Sequence, residues 1–314
     1  RPCREQRAGL SGAQRAMATV SIILPAKNEG QNLVHLLPVL RAAQPDAEII
    51  VVDDGSTDDT VALCKANGVH CVSHPYSMGN GAAIKTGARN ASHDVLLFME
   101  ADGQHDPTGI QALLDKLDEG YEMAVGARTW DSHASLARRA ANYIYNGLAS
   151  YMAGRPVLDL TSGFRAARRR HFMRFLYLLP NGFSYPTTST MAFFRSGLPI
   201  AYVPISARRR GGRSHIRLFE DGLRFFMIIL KVGALFSPMR LFLPVSMAIF
   251  ATGMLYYLYT FIDSHRFTNM SALLITTSVT TFMLGILAEL VSALHYKEAD
   301  AERRLARRTP HQDD

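Results

Sequence analysis

Two periodicities alternate along the first two-thirds of the chain. "VSIILP", Val20 to Pro25, is a short β-rich run, and Gln31 to Gln44 carries apolar residues at helical spacing. "EIIVVDD" predicts a second strand, with Ser56 or Thr57 expected to cap a helix through Asn67. "HCVS" predicts a weak third strand, and Gly79 to Ala91 a loop entering a helix. "DVLLFME" is a strong strand, Pro107 suits the first turn of the next helix, and "EMAVGA" follows as another strand. This alternation predicts an α/β domain: a parallel-type sheet with helices on both faces. Residues 134–197 read as mostly helical around a "DLTSGF" loop, and "PIAYVPI" as one more strand.

The pattern changes beyond "ARRRGGRSH". Leu218 to Phe236 is apolar but carries Arg224 and Lys231, which suits an interfacial helix. Leu241 to Ile262 is uncharged over about 22 residues, the length a bilayer demands. Phe267 to Ala288 is about as long and ends before Glu289. A buried helical hairpin is the alternative, but two uncharged spans in tandem are rare in soluble cores. Arg240 precedes the first span; Lys297, Arg303, Arg304, Arg307 and Arg308 follow the second. The positive flanks predict a multi-pass protein of the cell (inner) membrane with both ends, and the α/β domain, in the cytoplasm. The expected organisation is a disordered tail (1–17, with Met17 as a natural start), an α/β domain (18–215), an interfacial helix (216–238), a membrane hairpin (239–296) and a basic tail (297–314).

Charge and cysteine usage narrow the partners. Lys and Arg number 34 against 27 Asp and Glu, a net +7, which suits anionic partners such as nucleotides and lipid headgroups. Cys3, Cys64 and Cys71 form no C-x-x-C pair, so neither a disulfide framework nor a zinc site is expected, and a reducing compartment is. The basic, polar residues 1–17 lack the apolar core of a signal peptide.

In open α/β sheets, ligands bind beyond the C-terminal strand ends. Three polar clusters fall there: "PAKNEG", the Asp53–Asp54 pair, and Glu100 with Asp102. Any one alone reads as a turn or helix cap; three on one edge point to a site. Side chains two apart on an extended chain share a face, so Glu100 and Asp102 are expected to approach one ligand.

The ordered stretches "SIILPAKNEGQNL", "IIVVDDGSTDDT", "GNGAAIKTGARNA", "MEADGQHDP", "VGAR", "DLTSGFRA" and "RRGGRSHI" resemble family-2 glycosyltransferases. The resemblance covers residues 20 to about 230. It points to the branch of dolichyl-phosphate mannose synthases and bacterial polyprenyl-phosphate glycosyltransferases. It implies a GT-A fold, a Rossmann-like mixed sheet with helices on both faces. It also implies inverting transfer from a nucleoside-diphosphate sugar to a polyprenyl phosphate. By resemblance, Pro25, Lys27, Asn28, Glu29, Asp53, Asp54, Lys85, Glu100 and Ala101 would form the donor nucleotide site. Lys85 reads equally as an exposed helix lysine. Glu100 and Asp102 occupy the D-x-D position; Asp102, with Gln104 and Glu100, would hold Mg²⁺ or Mn²⁺ on the diphosphate. Asp102 and Arg128 are the catalytic candidates. Ser162, Arg209, Arg210, Arg213, Ser214 and His215 would bind the acceptor phosphate; the arginine fork suits that task, while lipid headgroup contact is the blander role. Arg168 to Arg170 read as a solvated or membrane-facing helix start. The family usually has Asp where Glu100 stands, and lysine where His215 stands.

Trp130 is the only tryptophan, so the Q-x-x-R-W motif of processive polysaccharide synthases is missing. An acceptor that is already an anion needs no strong base, whereas a hydroxyl acceptor does. Transfer to a lipid hydroxyl, with Asp159 as base, is the nearest rival. A sugar nucleotidyltransferase would need a glycine-rich basic loop after the first strand, which "PAKNEG" is not. A silent membrane-anchored subunit rests only on Glu100. Two spans do not make a transporter, nucleic acid is not an expected partner, and homo-oligomerisation stays open.

Overall fold

The computed structural model describes residues 19–128, 136–182, 184–205, 227, 230, 233–234, 237–266 and 268–306. The chain runs β1 (Val20–Ala26), α1 (Gly30–Ala43), β2 (Glu48–Asp53), α2 (Thr60–Ala66), β3 (His70–Ser73), α3 (Asn80–Asn90) and β4 (Val95–Phe98). A 3₁₀ turn at Pro107–Gly109 leads into α4 (Ile110–Asp118), followed by β5 (Met123–Arg128) and α5 (Leu136–Ala153). Then come β6 (Arg165–Arg168), α6 (Arg169–Phe172), α7 (Tyr185–Arg195) and β7 (Ile200–Ile205). Two long helices close the described chain, α8 (Pro238–Ser264) and α9 (Asn269–Ala306).

The seven strands lie in the order β3-β2-β1-β4-β6-β5-β7. Only β6 runs antiparallel, between β4 and β5. The sheet is therefore mixed. The strand at β6 corrects the helical expectation for residues 134–197. "RAAR" has no β-branched residue and no alternating pattern; pairing on both edges makes it a strand. The central strands are buried on both faces, and their Ile, Val and Leu feed two apolar clusters, one on each side of the sheet. Arg168 ends β6 and bonds the Leu117 carbonyl and Asp118, and α6 starts at Arg169 as expected of a helix start there.

The helix cap after β2 also differs from expectation. Asp58 accepts from the Thr60 N–H and hydroxyl, and from the Gly30 N–H at the start of α1. Ser56 and Thr57 turn instead toward Asn28. One carboxylate thus serves two helix starts, a contact between loops that local sequence does not reveal.

Residues Pro238–Asp263 and Asn269–Leu294 are each long and apolar enough to cross a membrane. Only 11% and 17% of their most apolar windows are buried against protein, so these are not core helices. Leu255, Tyr259, Ile262, Leu273 and Leu290 point outward, a surface that needs lipid rather than water. Gly253 and Gly285 allow the two helices to touch: a Cβ at either would come within 3 Å of Leu274 or Phe242. The expected interfacial helix lies almost wholly outside the described residues.

The hairpin joins the α/β domain through opposed charges. Arg240, in the first turn of α8, donates to the Tyr151 and Met152 carbonyls at the end of α5, at 2.7 and 2.9 Å. A cation there satisfies orphan carbonyls and complements the helix dipole. Arg195, in the last turn of α7, pairs at 2.5 Å with Glu289 of α9.

Candidate active site

The C-terminal edges of β1, β2, β4 and β5 form the floor of the site. Parallel register sets Ala26 beside Asp53 and Ile23 beside Phe98, so the loops that follow emerge together. Asn28 adopts a left-handed conformation (φ 56°). Its side-chain oxygen accepts from the Thr57 N–H at 2.8 Å, and its own N–H donates to Ser56 at 2.9 Å. Asp53 is buried and accepts from the Ser56 N–H. Glu29 sits at the start of α1 and takes the Asn32 amide. The "PAKNEG" and "DDGSTDD" loops are thus stitched into one wall, with Pro25 half-buried at its base.

Asp54 builds the next wall. Its two oxygens meet His74 Nδ1, the Ser77 hydroxyl and the N–H groups of Met78 and Gly79, all within 2.9 Å. Burial opposes its charge, yet these hydrogen bonds outweigh it and hold the pKa at about 2. Lys27 reaches Ser77 on the same loop. Asp54→Asn should destabilise the fold by about 2–3 kcal/mol at neutral pH. Because the folded pKa is depressed, this contribution is full above the ordinary carboxylate range and lost as pH falls through about 2. Denaturation of both proteins at neutral and strongly acid pH checks this: the gap should close on acidification.

Lys85 is neither an exposed helix lysine nor without partners. It bonds the Leu179 carbonyl and the Asn181 side chain. Carbonyls of Asn181 and Gly182 also take N–H groups of Ala82 and Gly81, so this segment caps α3.

The acidic cluster after β4 departs from an extended chain. The strand ends at Phe98, and residues 101–103 turn, with Gly103 at φ 71°. Glu100 and Asp102 are therefore not placed by strand alternation. Ala101 is buried beneath them. The turn brings Gln104 back onto Asp102, with the backbone N–H at 3.1 Å and the amide at 2.5 Å. Glu100 lies against Gly163, where a Cβ would stand 3.0 Å from its carboxylate oxygen. Beside them His105 is buried, stacked on Phe164 at 5.1 Å, with no partner for Nδ1 among the described residues. Burial holds its pKa down, against the pull of Asp102.

Arg128 ends β5 and grips Asp159 through Nε and Nη2 at 2.8 and 2.9 Å, with Nη2 also on the Thr161 hydroxyl. Asp159 further accepts the N–H groups of Thr161 and Ser162. Burial works against both charges; the mutual hydrogen bonds and charge outweigh it, raising the Arg128 pKa and lowering that of Asp159. Glu100 adds to the field on Arg128. Ser162 is buried, with its hydroxyl unpaired among the described residues. Arg209, Arg210, Arg213, Ser214 and His215 lie outside the described residues.

Three contributors were missed in the sequence. His105 sits in the flagged "GQHDP" stretch. Arg165, fully buried, bonds the Ser162 and Pro186 carbonyls and the Ser189 and Thr190 hydroxyls. Tyr185 donates to the Gly163 carbonyl at 3.0 Å. A lone arginine inside "GFRAA" is the one signal that could have exposed this support.

The mixed sheet, with acidic, amide and arginine groups gathered along one edge, has the GT-A architecture. The chain belongs to glycosyl transferase family 2: that family's model matches residues 21–176, and residues 237–294 match the GtrB C-terminal hairpin. It is a glycosyltransferase. It is 27% identical over 292 residues to glycosyltransferase AglJ of Haloferax volcanii, covering 89% of this chain and 95% of that one. It is 30% identical to polyprenol monophosphomannose synthase of Mycolicibacterium smegmatis, over 66% of this chain and 84% of the relative. A Salmonella undecaprenyl-phosphate 4-deoxy-4-formamido-L-arabinose transferase is 32% identical over 48% of this chain and 49% of its own. Among solved structures, glucosyl-3-phosphoglycerate synthase of Mycobacterium tuberculosis, with Mn²⁺, UDP-glucose and phosphoglyceric acid, superposes with a TM-score of 0.58. It is 23% identical and covers 69% of this chain and 80% of that one.

Proposed function

We propose that the protein transfers a sugar, with inversion, from a nucleoside-diphosphate sugar to a polyprenyl phosphate at the cytoplasmic face of the inner membrane. The observation that carries this reading is the state of Asp159. A hydroxyl acceptor needs a general base, and Asp159, the carboxylate suspected of that task, is locked onto the Arg128 side chain and three backbone N–H groups. Its depressed pKa makes it a poor base. An acceptor that arrives as an anion needs none. Relatives named for polyprenol and undecaprenyl phosphate point the same way.

The nucleotide would lie against the wall formed by Pro25, Lys27, Asn28, Glu29 and Asp53. Asp54 and Lys85 act one step removed, Asp54 by ordering the loop under Lys27 and Lys85 by anchoring α3. The carboxylate oxygens of Asp102 fit a hard divalent cation, and the Gln104 amide, which here donates its NH2 to Asp102, would turn its oxygen inward to join them. No group of three or more His, Cys, Asp or Glu gathers among the described residues. Diphosphate and water would therefore complete the ligand shell, as Mg²⁺ and Mn²⁺ sites of this kind allow. Asp102, Gln104 and Glu100 would hold such an ion, which supplies neutralisation of the leaving diphosphate. Arg128, held by Asp159 through Nε and Nη2, would offer its remaining nitrogen to the reacting phosphates. A lipid phosphate oxygen forms the new bond to the anomeric carbon as the bond to the diphosphate breaks, and the electron pair leaves with the nucleoside diphosphate. Positioning and fixed charge carry most of the acceleration.

Membranes incubated with a panel of radiolabelled sugar nucleotides, followed by lipid extraction, test the activity. Label recovered in an acid-labile isoprenoid phosphate is expected; label in a neutral glycerolipid favours the hydroxyl-acceptor reading. Arg210→Ala or Arg213→Ala should raise the KM for lipid by one to two decades, the roughly 1.5–3 kcal/mol of a charged hydrogen bond. Donor KM should barely move; equal damage to both would transfer these residues to the donor site. For topology, Ser264→Cys should label from outside intact cells. Labelling only after permeabilisation contradicts the orientation.

A further inference from the structure

A cavity of about 120 Å³ lies where the α/β domain meets the membrane hairpin. It is closed by the C-terminal ends of α5 and α7 and the first turn of α8. Among the described residues, Arg195, Arg240 and Ser237 give it polar groups, and Met152, Ala153, Met191 and Phe194 give it apolar wall. It is a different place from the transferase site. α7 has Tyr185 under Gly163 at one end and Arg195 at the other, about 15 Å away at the helical rise.

Both guanidiniums are held but not saturated. Arg240 uses Nη1 on the two α5 carbonyls, and Arg195 uses Nη2 on Glu289. Each has five N–H donors, and among the described residues the others meet no hydrogen-bond acceptor. Two guanidiniums against the Glu289 carboxylate leave one net positive charge. The cavity is far below the roughly 300–1,000 Å³ of a drug-sized ligand site, so it suits a small anionic group. Arg240 is the third residue of the apolar segment Pro238–Asp263, which sets the cavity at the level where apolar helix gives way to polar surface. The anion abundant at that level is the phosphodiester of a phospholipid, and the planar arginine fork matches its oxygens.

We propose that Arg195 and Arg240 together bind the headgroup phosphate of a membrane phospholipid, a lipid site separate from the acceptor site. The bound lipid seats the α/β domain on the hairpin at a defined height.

The test uses the full chain in detergent, with native mass spectrometry for retained lipid and thermal melting. The probes are phosphatidylglycerol, diacylglycerol and inorganic phosphate. Wild-type protein should retain phosphatidylglycerol and melt higher with it, and ignore diacylglycerol. Arg240→Gln, which keeps a donor for the α5 carbonyls, should weaken retention about ten- to a hundredfold. Arg195→Gln combined with Glu289→Gln, which leaves no unpaired carboxylate, should do the same. Arg240→Lys provides a folded comparison that keeps charge but loses the fork. An equal melting shift from inorganic phosphate alone supports the phosphate site but makes its source a free anion. Equal retention of diacylglycerol and phosphatidylglycerol, or undiminished retention by the folded variants, overturns the proposal.

Discussion

Asp102→Asn is expected to reduce metal-dependent sugar transfer at least about a hundredfold, since cation-mediated charge stabilisation is worth several kcal/mol. Stability should hardly change. Asp102 is only half-buried, and the oxygen of Asn can still accept from the Gln104 N–H. Glu100 gives a graded control. Its carboxylate lies against Gly163, next to Arg128 and Tyr185, whose ionisations it perturbs. Glu100→Asp should keep most activity, and Glu100→Gln should lose a larger part because the charge goes. Turnover against Mn²⁺ concentration for the three variants, with thermal melting alongside, measures all of this. Normal metal dependence in Asp102→Asn would assign the residue to a turn and remove it from the site.

Asp159→Ala should destabilise the domain by about 3–5 kcal/mol, the usual result of stripping one partner from a buried ion pair. The change also removes acceptors for the Thr161 and Ser162 N–H groups and loosens Arg128. The Asp159 pKa is depressed on folding, so its contribution is present above the ordinary carboxylate range and disappears as pH falls through the lowered value. The destabilisation by Asp159→Ala should therefore shrink in acid, as read by denaturation. Kinetics separate the two roles open to this residue. As an orienter of Arg128, its loss should lower transfer without moving the pH profile near neutrality. A lost general base would instead leave a rate that rises with hydroxide concentration, and that outcome would revive a hydroxyl acceptor.

Strong local signals are legible in the sequence itself. β1, β2 and β4 are runs of Ile, Val, Leu and Phe that local pattern alone marks as buried strands, and the two uncharged spans declare themselves by length. The edge on which "PAKNEG", Asp53 and Glu100 gather follows from strand direction. What tertiary structure decided is how polar groups pair across the chain. Asp53 and Asp54 are adjacent and chemically alike, yet one joins the wall beside Asn28 and Ser56 while the other is enclosed by the His74–Gly79 loop. The short strand Arg165–Arg168 exists because β4 and β5 flank it, not because "RAAR" prefers to extend. Asp159 is paired as a carboxylate because Arg128 meets it from 31 positions away in sequence. Apolar periodicity is written locally, since burial of a face depends on spacing along one element. Hydrogen bonds and ion pairs are short-ranged and directional, so their partners are chosen only when distant segments arrive within about 3 Å of each other.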